Sequence, residues 1–122
     1  MNVKSEAFFR TMLKFLPSTS NEYHNSLERK GKLLETVVIE DIFMPEIIKL
    51  LKENTEKKLL GEIFAFFEDV SNYGDEHLVN IFFITVLEIL GNEKEVLEVA
   101  KMYMGPKTTE FQIEADRGLG RL

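Results

Sequence analysis

The chain has 122 residues, of which 44% are hydrophobic and 30% charged, with a formal net charge of −6 and no cysteine. That hydrophobic content excludes a disordered chain, and the missing thiols exclude disulfides, thiolate metal sites and a cysteine nucleophile. Residues 1–34 carry six basic and three acidic groups and residues 35–104 carry six basic and fifteen acidic ones, an acidic body that suits a basic protein partner and not nucleic acid.

A length of this order matches one domain, taken as residues 1–122. Ten Phe and five Met without a Trp favour helix-on-helix packing over a β-branched sheet interior. The first predicted helix runs from Asn2 to Leu16, where Phe8, Phe9, Met12, Leu13, Phe15 and Leu16 recur at helical spacing. Pro17 stops it. Ser18, Thr19 and Ser20 offer a hydroxyl cap for a second helix with Tyr23 and Leu27 on its inner side, ending near Gly31. Leu33, Leu34, Val37, Val38, Ile39, Ile42 and Phe43 then read as helix, with a strand left open for residues 36–40, and Pro45 is expected to break or kink the chain before Ile47 to Leu51.

From residue 55 the periodicity is sharper. Leu59, Leu60, Ile63, Phe64, Phe67 and Val70 form one apolar stripe that ends at Gly74, a glycine suited to the left-handed cap position. Asp75 caps the next helix. Leu78 to Leu90 is apolar on nearly every side except at Asn80, Thr85 and Glu88, so it is expected to lie at the centre of the core, with Ile81, Phe82, Val86 and Leu87 packed against Phe64 and Phe67. Its 13 residues fall short of the roughly 20 that a membrane span needs. Gly91 ends it, Asn92 and Glu95 resemble a capping box for Val96 to Tyr103, Gly105-Pro106 is a turn, and Thr109 with Gln112 is expected to cap a last short helix that frays at Gly118 and Gly120. The predicted fold is all-α, a compact bundle of six to seven short helices arranged as HEAT-like hairpins.

No pattern of catalytic or metal-ligating residues emerges. His24 and His77 fall on different helices outside any spaced ligand motif, and the serines and glycines form neither a nucleophile elbow nor a phosphate loop. Glu88 is a carboxylate on an apolar helix, a position that calls for a hydrogen-bond or Arg partner. No cofactor, metal or catalytic residue is expected, and the segment Met1 to Glu6 has no secretory signature, so cytoplasm is the expected compartment. The paired carboxylates are most simply solvated surface, yet Glu68, Asp69, Asp75 and Glu76 flank one helical turn and would gather at one end of a hairpin, which makes them the predicted partner-binding residues.

Phe67-Glu68, the run Asp75 to Asn80, the run Thr85 to Leu90 and Met104-Gly105-Pro106-Lys107 together resemble a small uncharacterised bacterial domain family. In that family an apolar helix has Val-Asn or Arg-Asn near its start, a Ser-Phe-Val-Glu-like segment near its end and a Leu-Gly-Pro turn after it. Here Thr85 takes the Ser position and Met104 the Leu position, and Tyr23 to Leu34 is similar to the family's Gly-Glu-Leu-Leu-Pro region, with Glu35-Thr36 in place of its Pro-His. The resemblance implies an all-α fold, bacterial origin and a link to polymorphic toxin systems, where small acidic proteins serve as immunity factors. The expected function is therefore a non-catalytic binding module that blocks a basic toxin domain, the alternative being a regulatory or scaffolding helical domain that self-associates.

Overall fold

Each apolar stripe becomes a helix in the computed structural model, which describes residues 3–30 and 35–121. The expectations placed on Asn2, Gly31, Leu33, Leu34 and the side chain of Leu27 lie outside the described residues. Helix α1 spans Val3–Phe15, a 3-10 turn follows at Pro17–Thr19, and α2 spans Ser20–Lys30. Helix α3 covers residues 35–53, α4 Lys57–Tyr73, α5 residues 76–90, α6 Lys94–Lys101 and α7 Pro106–Gly118. These seven helices form an all-α bundle, and no strand occurs among the described residues.

Residues 36–40, where a strand was an open alternative, are helical. Helix α3 neither breaks nor stops at Pro45, because its turn at Ile39–Phe43 is π-helical and the Met44 amide reaches back five residues to the Ile39 carbonyl. The wide turn accommodates a residue that has no N–H and whose ring would crowd the carbonyl four residues back in a regular α-helix. A second π-helical stretch, Phe82–Leu87, interrupts α5 and packs against the first. There the Thr85 hydroxyl donates to the Ile81 carbonyl, a local bond that competes with the regular helical ladder.

Helix α5 touches α3, α4, α6 and α7, the central position expected of it. Phe82, Thr85, Val86, Leu87 and Leu90 are buried, while Ile81 is only half-buried and Ile84, with Asn80 one turn earlier, is exposed. One face of α5 therefore meets solvent, a departure from the enclosed helix that its composition suggests. On the buried face, Phe64, Phe67 and Phe82 form a chain of edge-to-face contacts with ring centroids 5.1 and 5.2 Å apart. Such geometry places the positive ring edge of one aromatic on the negative face of the next.

The helix ends depart most from local expectation. Gly74 is extended (φ −66°, ψ 152°), not left-handed; glycine is required because a Cβ there would sit 2.6 Å from the Val70 carbonyl oxygen. Asn54, at the end of α3, does take the left-handed conformation, and its side-chain oxygen accepts a 2.6 Å bond from the Tyr103 hydroxyl. Asn92 caps nothing: Glu93 occupies the cap of α6, and the Asn92 oxygen accepts from Arg121 instead. Helix α7 begins at Pro106, so Thr109 and Gln112 lie inside it, where Gln112 is fully buried and donates to the Leu87 carbonyl at 2.9 Å.

Phe82 has no solvent exposure and sits where α4 and α5 meet. Replacing it with Ala is expected to cost about 3–5 kcal/mol through lost transfer energy and a residual cavity. Urea denaturation checks this, and a midpoint near that of the parent would show that the core is centred elsewhere.

Candidate functional site

The α4–α5 hairpin tip holds the four carboxylates singled out in the sequence, but their environments differ. Asp75 is the N-cap of α5, with one side-chain oxygen accepting from the Leu78 amide at 2.8 Å. Glu68 turns toward the start of α7. One of its oxygens accepts from the Thr108 amide and hydroxyl, both at 2.8 Å, and the other from the Lys107 amide at 3.0 Å and the Asn72 side chain at 3.1 Å. A carboxylate from α4 therefore supplies the cap that α7 lacks in its own sequence, since Gly105 has no side chain to offer. Gly105 is needed for that approach, because a Cβ there would lie 2.5 Å from the Glu68 carboxyl carbon.

Burial of the Glu68 carboxyl raises its pKa, but the bonds donated by the Thr108 and Lys107 amides, the Thr108 hydroxyl and the Asn72 amide outweigh that and hold it below the usual carboxylate value. Ser71 extends the same network, its hydroxyl lying 3.1 Å from that of Thr108 and 2.9 Å from the Phe67 carbonyl. This corner of the hairpin is structural.

Asp69 and Glu76 are different. Both are exposed, and neither forms an ion pair among the described residues. Between them Tyr73 is 84% exposed, the largest exposure of any bulky apolar or aromatic residue described. Beside Tyr73, a shallow groove of about 230 Å³ opens between α1 and α4, lined mainly by Phe8, Phe66, Val70, Tyr73 and Leu78, with Asp69 and Lys4 among its polar residues. Its floor is aromatic: Phe8 and Phe66 stack at 5.5 Å, and Phe15 lies 5.9 Å from Phe66. Phe66, Asp69 and Tyr73 sit at helical spacing on one face of α4, so the groove wall has a sequence signal that an inventory of apolar stripes passes over.

The other sequence candidates fall away from this groove. His77 Nε2 lies 3.1 Å from both Glu35 carboxylate oxygens, tying α5 to the start of α3. At residue 88 it is the backbone carbonyl that accepts from Arg121, at 3.2 Å; the same guanidinium lies 3.2 Å from Asp116, so a cation sits at the C-terminal end of α5 where the helix dipole favours it. Among the described residues no group of three His, Cys, Asp or Glu converges to hold a metal ion, and no helix is long and apolar enough to cross a membrane.

Glu68→Gln keeps the shape but turns an NH2 group toward donors, so it should destabilise the fold by roughly 1–2 kcal/mol at neutral pH, the range measured for a lost cap. Because the folded-state pKa is lowered, the stabilising contribution is present above the unfolded carboxylate value and is lost as pH falls through the folded one. Urea titrations of parent and variant should therefore converge on acidification. A gap that does not narrow as the pH is lowered below the unfolded carboxylate value would show that the charge is not responsible.

Neither a curated protein nor a solved structure matches the chain. The model of one family, a domain of unknown function designated DUF7674, matches residues 9–119, which takes in the second half of α1, all of α2 through α7 and every residue of the groove except Lys4, Ala7 and Phe8. The match spans most of the sequence, and the chain belongs to the DUF7674 family.

Proposed function

We propose that the chain is a non-catalytic protein-binding module whose α4–α5 tip engages a basic partner. The observation that carries this reading is the exposure of Tyr73, at 84%, between two unpaired carboxylates and beside an apolar groove. Tyrosine is enriched among the residues that dominate protein interfaces, and exposing such a ring to water has no structural return. The field of the acidic body would speed encounter with a cationic surface.

The more specific form of the proposal is an immunity protein that covers the active site of a toxin domain. Support comes from the acidic body and from the resemblance to small bacterial domains linked with polymorphic toxins. Steric occlusion needs no chemistry from the blocking protein, and the Asp69–Tyr73–Glu76 edge supplies an anchor and charge for it. A second reading, a regulatory or scaffolding domain that self-associates, draws on Ile84, Met102, Ile113 and Leu119, which are also exposed. A monomer by light scattering at high protein concentration would remove it.

The decisive measurement is association with the C-terminal domain of any secreted protein found encoded beside this chain; the absence of such a neighbour would remove the immunity reading. Reversing only Asp69 and Glu76 to Lys, and sparing the capping residues Glu68 and Asp75, should slow association about tenfold at low salt and flatten its salt dependence. The urea midpoint should stay near that of the parent. Unchanged kinetics would move the binding surface elsewhere, and failure of the chain to protect cells expressing that domain would remove the immunity reading.

A further inference from the structure

The groove beside Tyr73 carries information about the partner, and the inference drawn from it rests on the protein-binding reading above. We propose that the α1–α4 groove is an anchor pocket for one large apolar side chain of a partner polypeptide, flanked in the partner by a lysine or arginine that meets Asp69 and Glu76.

The size of the groove sets the first half of this specificity. At about 230 Å³ it is roomy enough to take one leucine, methionine or phenylalanine side chain, and it is open to solvent along its length. Its lining sets the chemistry. Phe8, Phe66, Val70 and Leu78 offer almost no polar atoms to the waters they hold, so displacing those waters with hydrocarbon is favourable. The stacked Phe8 and Phe66 rings need no rearrangement to receive it, which lowers the ordering cost of binding.

Charge sets the second half. Asp69 lines the groove, and Glu76 lies between Gly74 and Leu78, two residues that also line it. Lys4 is the one cation of the lining, on the α1 side, against two exposed carboxylates, Asp69 and Glu76, on the α4–α5 side. The α4–α5 edge is therefore negative, so a cation adjacent to the anchor residue completes the match there. A phosphate or an acidic peptide meets repulsion at the same edge. Tyr73 stands over the groove with its ring free to close on the anchor or to face the cation.

The test selects a displayed library of random dodecapeptides on the immobilised full chain and measures enriched sequences, as synthetic peptides, by fluorescence anisotropy. Enriched peptides should place Phe, Leu or Met within two residues of Lys or Arg. Ala7→Trp, which fills the groove from an exposed position on α1, should weaken their binding at least tenfold. Tyr73→Ala, at a position that contributes nothing to the core, should weaken it about as much and stands in if the tryptophan variant unfolds. If basic peptides bind and lose affinity on Asp69→Lys/Glu76→Lys but not on Ala7→Trp or Tyr73→Ala, the acidic tip is a binding surface and the anchor pocket is wrong. If neither kind of variant weakens binding, or if no such peptide is enriched, the pocket and the tip both fail.

Discussion

The contact between Phe67 and Phe82 is the constraint around which the bundle is arranged. Their edge-to-face packing at 5.2 Å joins α4 to α5 at a point without solvent, and α1, α3, α6 and α7 each lie against one of these two. Around that pair, α7 packs on both helices, the π-helical turns of α3 and α5 meet, and the exposed carboxylates Asp69 and Glu76 of the hairpin face solvent. Two widened turns at one helix–helix contact mean that the crossing is set by the backbone as much as by side-chain size, since a π turn shifts the register of everything after it by a fraction of a turn.

The helices were legible because apolar periodicity is a local property that tertiary structure reinforces. The stripe from Leu59 to Val70 and the density of apolar groups from Leu78 to Leu90 identified α4 and α5 and most of the core without ambiguity. Capping was less legible. The rules for capping boxes assume that a cap comes from the residue next to the helix, and they hold at Asp75. They fail for α7 and at Asn92, where the partners, Glu68 and Arg121, arrive from 40 and 29 residues away. No local window contains that information. Asn54 is the reverse case, a left-handed cap whose residue type alone was a usable signal.

The candidate site was partly legible for the same reason. A cluster of carboxylates around one turn is visible in sequence, but the division of labour among them is not, because it depends on which neighbours fold against the hairpin. Glu68 and Asp75 hold helix ends together; Asp69 and Glu76 face water. The groove was invisible to composition, since its floor joins residues of α1 to residues of α4 about 60 positions further on.

The Glu68 bond to α7 also bears on time. It closes a span of 40 residues, so the chain between its partners must be brought together, at a cost in loop-closure entropy, before the bond returns anything. Interactions absent from the transition state act on the unfolding rate. A bond of this kind, formed only once the chain has closed, would then be felt in how long the assembled bundle persists and not in how quickly it is reached.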